Sequence, residues 1–453
     1  MFDPMSMRVF RVDIMDHQSL PNIVSRIEDE IPLQKCSSRI PEIESPSDQF
    51  CSAKETMLPL LVKRETLERV GVKPKIDRVS LNITNTCNLR CEYCYADHGA
   101  YYSERSLISP TQSAIIVSKV LEYWFEVRSF HFFGGEPFLN LDAIDAIGKA
   151  FESITGSGYL PSFVATTNGT LSNNKVIETI KRWGIEIMVS WDGPSEVQDT
   201  SRKQAKQSGP SSELVEASIE RFDKHGLRYG IECTYNRHHI KTGISIVDLM
   251  DFFYNSTGLL DVHIAPVALP VGRQGQGNEQ KIFRDREAFS LTTCDSLDNK
   301  NLVRLYREAT RYSIRNLFSG KGPTLSIVNS IISRLAMGNR SNEYCRAFNS
   351  QISIGIDGSV FPCFMFAGDP AFRYGNILTG TFPSKESIEV FRRYFAEFGH
   401  VPTGTSEWYE PLFNGCIAAD YIATNTLAER YWLPVYQAII EECIMEVANC
   451  LQI

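Results

Sequence analysis

No stretch of this 453-residue chain is long enough and free enough of charge to cross a membrane as a helix. No basic stripe is visible, and the formal net charge is −8. A broad phosphate-binding surface is therefore not expected, so neither nucleic acid nor an anionic membrane is a natural partner. The opening stretch, MFDPMSMRVFRVDIMD, lacks a basic segment followed by an apolar run, so no export signal is read there. These absences leave a soluble, cytoplasmic protein as the expectation.

What is present is ordinary globular material, 43% hydrophobic and 22% charged, enough for a substantial core. Cysteine is the exception, with twelve residues. In a large chain with no sign of export, metal or cluster ligation explains them better than disulfides. Cys36, Cys51, Cys233, Cys294, Cys443 and Cys450 stand alone in the sequence and read as buried or free thiols. The other six fall into two groups.

Three segments follow from pattern and composition. Residues 1–75 include PLQKCSSRIPEIESPSDQF, rich in Ser, Pro and charge, and read as a loop-like extension that contacts a partner. Residues 76–325 alternate β-rich runs with helical patterns. DRVSLNIT precedes SPTQSAIIVSKVLEYWFEV, SFHFFGG precedes LDAIDAIGKAFESI, and SFVATTNG precedes NKVIETIKRWG. IEIMVSWDG, RYGIECTYN and LDVHIAPV extend the series to six strands. Such alternation predicts a parallel sheet with crossover helices, as a partial barrel or an open sheet, with active residues at the C-terminal strand ends. Gly184 and Gly226 stand where helix C-caps are expected. Residues 326–453 break the alternation and read as a smaller second domain. There QISIGIDGSVFPC predicts a hairpin turning tightly at Asp357-Gly358.

Directly after the first strand run stands Cys87-Asn-Leu-Arg-Cys91-Glu-Tyr-Cys94. Three thiolates in one loop can hold three irons of a [4Fe–4S] cluster and leave the fourth iron open for chemistry. The alternative is zinc completed by a distant ligand such as His98, but structural zinc sites favour paired CxxC units and no partner pair is found.

With Tyr93 before its last cysteine, this triplet resembles the signature of the radical S-adenosylmethionine (SAM) superfamily. Phe133-Gly134-Gly135-Glu136-Pro137 resembles the family's GGEP motif. Thr166-Thr167-Asn168-Gly169 and Ser190-Trp191-Asp192-Gly193-Pro194 follow in register at later strand ends. The resemblance covers roughly residues 77–270 and implies a partial (β/α)6 radical SAM barrel. It also implies a [4Fe–4S] cluster on Cys87, Cys91 and Cys94, and one-electron cleavage of SAM to a 5′-deoxyadenosyl radical that abstracts hydrogen from substrate. By the same resemblance Glu136 meets the SAM ammonium, while Gly134 and Gly135 let backbone approach a ligand. Asn168 and Ser190 lie near the ribose or carboxylate, Arg202 pairs a carboxylate, and Tyr93 lies near the adenine.

The second group begins at Cys345, with Gly358 and Cys363 following. It resembles the opening half of a SPASM domain, the auxiliary-cluster module of many peptide-modifying radical SAM enzymes. Tyr374-Gly375-Asn376-Ile377 fits the same module. The second half departs from the pattern, because only Cys416 remains, in Asn414-Gly415-Cys416-Ile417. The resemblance then implies one auxiliary [4Fe–4S] cluster on Cys345, Cys363 and Cys416. Its fourth ligand is either absent or a non-cysteine group such as Asp420. A lobe that binds peptide with ordinary thiols is the alternative for this α+β SPASM/twitch-like region.

SPASM-type relatives mostly act on peptides, and CYADHGAYY resembles maturases of ribosomally made precursors, including those with nitrogen-fixation-type leaders. A precursor peptide is the expected substrate. Crosslink or thioether formation, epimerisation and backbone excision all stay open, with Cys233 or Cys294 as guesses for an epimerase hydrogen donor. Residues 1–75 show no hairpin-plus-helix pattern, so leader recognition is expected from a separate protein, and electrons from a flavodoxin or ferredoxin. One rival is a sulfatase-type maturase, disfavoured because Phe364 stands where such enzymes commonly carry Asp. Another is a non-catalytic metal-stabilised peptide-binding scaffold, disfavoured by the intact GGEP.

Overall fold

The computed structural model describes residues 74–156, 159–206, 209–268, 296–337, 347–348 and 350–382. Towards the C-terminus it describes 412, 415–424, 426–427 and 430–451. Within the N-terminal extension it describes a short ladder, Phe2–Asp3 antiparallel to Arg8–Val9, so the expectation placed on residues 1–75 otherwise lies outside the described residues. The remaining strands are β1 (Lys75–Thr84), β2 (Leu89–Cys91), β3 (Glu126–Gly134), β4 (Ser162–Thr167), β5 (Glu186–Ser190) and β6 (Arg202–Gln204). They continue with β7 (Tyr229–Tyr235), β8 (Asp261–Pro266), β9 (Thr324–Leu325), β10 (Gln351–Ile354), β11 (Ser359–Phe361) and β12 (Gly375–Asn376). The helices are α1 (Pro110–Leu121), α2 (Leu141–Thr155), α3 (Asn174–Trp183), α4 (Ser195–Ser201), α5 (Ser211–Lys224) and α6 (Arg237–Thr242). After them come α7 (Ile246–Thr257), α8 (Ser296–Ser319), α9 (Ser326–Met337), α10 (Ile417–Thr424) and α11 (Leu433–Leu451).

Capping chemistry starts several of the crossover helices where the sequence places them. Ser109 accepts from the Gln112 amide with Pro110 at the first helical position, and Asn173 accepts from Val176. Gly184 ends α3 in the left-handed region at φ 59°, and Gly226, at φ 64°, follows the end of α5. One boundary differs from expectation. The predicted helical run through Val127 stops at Leu121, and Val127 belongs to β3, because Phe125 donates its amide to Pro74 and turns the chain back into the sheet.

Strands β1, β3, β4, β5, β7 and β8 lie side by side in chain order, each parallel to its neighbour. A doubly wound sheet would reverse its order at a switch point. This one does not, so the partial (β/α)6 barrel is the correct member of the two alternatives.

Alternate residues divide the sheet into two faces. Phe130, Phe132 and Phe163 are buried towards the helices, with Phe130 and Phe151 meeting edge to face at 5.3 Å and Phe163 and Trp183 at 6.2 Å. Such ring pairs add about 0.5–1.5 kcal/mol each beyond their burial. The opposite face carries His131, Thr166 and Ser190. A closed barrel fills its interior with branched apolar side chains; the polar residues here suit an open, accessible concave face.

The C-terminal region, expected from the sequence as a smaller second domain, adds strands to this sheet. β10 pairs parallel with β1, Gln351 opposite Arg78 and Ile354 opposite Leu81, and β11 and β12 extend the sheet antiparallel. The hairpin turn is also longer than predicted. Gly355 to Gly358 form the loop, closed by Gly355 N–H to Ser359 O at 2.8 Å, and Gly358 adopts φ 84° whereas Asp357 does not take positive φ. A two-residue primed turn would need both residues in the left-handed region. Helix α11 packs on α8, where Arg307 and Arg311 reach the buried Glu442 and Arg307 also pairs with Glu441.

Candidate active site

All four motifs stand at the C-terminal ends of barrel strands. The triplet loop follows β1, Gly134-Gly135-Glu136 follows β3, Asn168-Gly169 follows β4, and Asp192-Gly193 follows β5. The glycine pair also lies close against protein backbone. Gly135 donates to Thr84 O at 2.9 Å and Glu136 to Thr86 O at 3.0 Å. A Cβ on Gly134 would stand 2.2 Å from Thr84 O, and one on Gly135 2.2 Å from Thr86 O. No larger residue fits either place, so the two glycines let β3 hold the segment that leads into Cys87.

Glu136 is fully buried. Its Oε1 accepts from the Phe138 amide at 3.1 Å and the Thr167 hydroxyl at 2.8 Å, and its Oε2 from the Asn168 amide at 2.7 Å. Burial pushes its pKa up to about 7 despite these three donors. A carboxylate has about four lone-pair sites, so one such group can still accept from an ammonium. In this structure the side chain clamps the exits of β3 and β4 together.

Asn168 extends that clamp to the cysteine loop. Its Nδ2 donates to Asn88 Oδ1 at 2.8 Å and approaches Cys87 Sγ at 3.6 Å, while its Oδ1 accepts from the Thr170 amide and hydroxyl. The Leu89 amide also points at Cys87 Sγ, 3.4 Å away. The loop thus presents donors to a thiolate.

Asp192 is the residue that sequence reasoning passed over, although it sits inside a motif that was recognised. It is fully buried. Its Oδ2 accepts from the Tyr93 hydroxyl at 2.5 Å, and its Oδ1 lies 3.2 Å from Arg202 Nε and accepts from the Thr234 amide at 3.2 Å. His239 bonds the Asp192 carbonyl at 2.7 Å through Nε2 and accepts from the Asn236 amide through Nδ1. A carbonyl can only accept and an amide only donate, so His239 carries its proton on Nε2.

Arg202 begins β6, whose antiparallel ladder with β2 sets Arg202 opposite Cys91, and its guanidinium lies 5.4 Å from the centre of the Tyr93 ring. Tyr93, expected near adenine, and Arg202, expected on a carboxylate, are thus both turned towards Asp192. Ser190 lies half-buried at the end of β5.

From the hairpin, Phe364 packs on Phe133 with ring centres 4.6 Å apart and planes tilted by 40°, and meets His131 at 6.4 Å on the concave face. His131 bonds Thr166 Oγ1 at 2.9 Å, and burial lowers its pKa to about 3. Cys363 is buried, and its thiol is pushed up to about 12 by burial and, less, by Cys416 nearby. Asp420 accepts from the Trp432 amide at 2.9 Å just before α11, so one of its oxygens serves that helix start. Cys345 and Cys294 lie outside the described residues.

The donors suit an iron–sulfur cluster. Cys87, Cys91 and Cys94 are half-buried in one loop, and burial raises the Cys87 thiol to about 11 and the Cys91 thiol further. A cationic centre reverses that preference and takes the thiolates. Three thiols from one loop suit a [4Fe–4S] cluster, which spreads its thiolate ligands over separate irons.

Comparison with known proteins agrees with this geometry. Residues 81–253 match the Radical SAM superfamily. The radical SAM cyclopropyl synthase TigE of Paramaledivibacter caminithermalis is 25% identical over 146 residues, 29% of this chain and 30% of that enzyme. A cysteine-type anaerobic sulfatase-maturating enzyme of Clostridium perfringens is 21% identical over 387 residues, covering 80% of this chain and 95% of that enzyme. Among solved structures, anSMEcpe with bound AdoMet and Cp18Cys peptide superposes with a TM-score of 0.66 at 20% identity, covering 83% of this chain and 100% of that one. SuiB of Streptococcus suis bound to its precursor peptide SuiA gives 0.50 at 14% identity, covering 91% and 86%. The fold is that of a radical SAM domain with a SPASM-type C-terminal region.

Proposed function

We propose that this chain, whose residues 81–253 are a radical SAM domain, is an enzyme that modifies a ribosomally made precursor peptide by hydrogen-atom abstraction. When bound, the cluster and SAM supply the one-electron chemistry that generates the abstracting carbon radical. The observation that carries the reading is the joining of the cysteine loop to the other strand-end motifs through Asn168, Glu136 and Asp192.

Cys87, Cys91 and Cys94 would hold the cluster. The backbone approach at Gly134 and Gly135 fixes their loop, and the Leu89 amide and Asn168 supply hydrogen bonds to Cys87. Glu136 holds negative charge for an ammonium, and the pKa of about 7 caused by burial would fall when a cation arrives. Asn168, at the end of β4, bonds Glu136 directly and Ser190 ends the following strand β5, while Tyr93 and Arg202 act through Asp192 as positioning residues. Cys363 and Cys416, with Cys345, are the proposed ligands of one auxiliary cluster. The reacting peptide residue would lie on the concave face beside Phe133 and Phe364. Leader recognition by a separate protein, electrons from a flavodoxin or ferredoxin, and a reducing compartment such as the cytoplasm belong to the same reading.

A sulfatase-type maturase is the second reading, favoured by the 95% coverage of the Clostridium perfringens enzyme. Phe364 weighs against it, because its ring packs on Phe133 where an Asp was expected. The test uses anaerobic reconstituted protein, SAM, dithionite and perdeuterated peptides. One set carries a sulfatase-type cysteine motif and the other is derived from small precursor peptides. Deuterium entering 5′-deoxyadenosine from a precursor peptide alone supports the first reading. Transfer from the sulfatase peptide alone selects the second, and no transfer from any peptide contradicts both.

A further inference from the structure

No run of cations appears in the sequence, yet the fold assembles a basic patch beside the cysteine loop from three separate segments. β2 and β6 pair antiparallel, with Arg90 opposite Lys203 and Cys91 opposite Arg202. Like charges directly opposite on a ladder are unfavourable. α6 adjoins them, since Asn236, just before it, donates to Ser201 Oγ at 3.2 Å and the Glu92 amide donates to Ser201 O at 2.9 Å. Burial lowers the pKa of His238, Glu92 raises it, and Lys241 and Lys203 lower it again, so both lysines stand about one imidazole.

The balance of charge here is one-sided. Leu89–Cys91, Arg202–Gln204 and Arg237–Thr242 contain no Asp or Glu, in a chain whose acids outnumber its lysines and arginines by 54 to 46. Arg202 is engaged by the buried Asp192. Lys203 has 57% of its side-chain surface exposed, and Lys241 is exposed too. Glu92 is the acid among them, pairing with Lys203 and lying 3.6 Å from His238. On the adjoining α4, Asp199 accepts from the Ser212 amide and hydroxyl at 2.8 Å each, and Glu196 stands in the first turn, at the end away from Ser201.

Two cations are left without an acid. Among the described residues Lys241 has no ion-pair partner, and Arg90 gives its Nη1 to carbonyls, Cys87 O at 2.9 Å and Leu89 O at 2.8 Å. Arg90 is thus bonded to the backbone of one proposed cluster ligand and is followed in the chain by another, Cys91. Whatever docks on this patch meets the protein at its cysteine loop.

We propose that Arg90, Lys203 and Lys241 form the docking surface for a small acidic electron-carrier protein that delivers an electron to the cysteine loop. This rests on the radical reading above. One electron leaves the carrier, which is oxidised, and enters the cluster, which is reduced, with no bond formed or broken. Opposite charge steers such an encounter and raises its rate by about ten- to a thousandfold at low salt, and redox encounters use small interfaces. An acidic peptide carries the same charge, so the test separates the two.

The experiment measures binding of a purified, oxidised, acidic flavodoxin to the full-length reconstituted protein by biolayer interferometry, with polyglutamate as the competing probe. Flavodoxin should bind at about 0.03 M ionic strength and lose most of its affinity at about 0.3 M, as screening shortens the reach of the patch. Lys203→Gln combined with Lys241→Gln should weaken binding about tenfold at the lower salt. Glu92→Gln, which removes the acid of the patch, should tighten it about threefold. Lys149→Gln, an exposed cation on α2, is the control and should change nothing. Iron content should match wild type in every variant. In stopped flow, cluster reduction by reduced flavodoxin should slow in the double variant, while dithionite still reduces it to completion. No binding at low salt, unchanged affinity in the double variant, equal weakening by Lys149→Gln, or polyglutamate binding as tightly as flavodoxin would overturn the docking surface. The deuterium-transfer test uses dithionite and is read separately. Transfer without flavodoxin binding discards the docking surface and keeps the peptide reading, and binding without transfer does the reverse.

Discussion

Replacing Asp192 by Asn should be among the costliest single changes in the barrel, because it strands a buried guanidinium. Arg202 has 8% of its side-chain surface exposed and Asp192 none, and they sit 3.2 Å apart. Removing one partner of such a pair costs about 3–5 kcal/mol, since the other charge stays buried without compensation. At about 2.1 cal/mol/K per residue, cooperative unfolding of all 453 residues carries an entropy of roughly 1 kcal/mol/K. The thermal midpoint should therefore drop by about 3–5 °C, and further if a smaller unit unfolds alone. The assay is circular dichroism on the cluster-free protein under reductant, for Asp192→Asn, Arg202→Met and the double variant. The double variant should be more stable than the two single losses added together, by about 0.5–3 kcal/mol. Iron retention should fall in both single variants, because Tyr93, tied to Asp192, lies between Cys91 and Cys94. Midpoints within about 1 °C of wild type for both single variants would refute the reasoning.

Gly135→Ala should lose most of its bound iron while keeping its helical signal, because the new Cβ would stand 2.2 Å from Thr86 O and 3.0 Å from the Cys87 amide; iron per chain checks it. Glu136, raised from 4.5 to about 7 by burial, holds its proton in the folded state where the unfolded chain has released it. Cluster-free stability should thus fall, by roughly 3 kcal/mol, as pH rises through that window, a slope that denaturant titrations should find absent from Glu136→Gln. Cys233→Ala should leave the reaction product unchanged by mass spectrometry. Its thiol is buried in step with Ile231 and Tyr235, while the half-buried Glu232 and Thr234 take the alternate positions, so the guess that it donates hydrogen to substrate loses support.

Much of the fold was legible because parallel strands buried on one face by helices leave a regular signal. All six barrel strands and most crossover helices stand where runs such as SFVATTNG and NKVIETIKRWG predict. The choice between barrel and open sheet was not legible, since strand order depends on crossovers and not on local pattern. Nor was the docking of Gln351–Ile354 on β1, a pairing between residues far apart in sequence. The three-residue ladder β2–β6 was too short to show a period. At the site, the motifs announced their residue types but not their contacts. Gly134 and Gly135 announced a close backbone approach, but not that Thr84 and Thr86 are the backbone they approach. Arg202 reads as the partner of a carboxylate, and the one it meets here is Asp192, because two residues ten apart in sequence show no sign of meeting until the α4 turn brings them together.

The most direct test is an iron and sulfide count on anaerobically reconstituted protein in three forms. These are wild type, Cys87, Cys91 and Cys94 all changed to Ala, and Cys345, Cys363 and Cys416 all changed to Ala. The prediction is about eight irons in wild type and about four in each triple variant, one [4Fe–4S] cluster being lost each time. Zinc in place of iron, or an iron count indifferent to loss of Cys87, Cys91 and Cys94, would contradict the account.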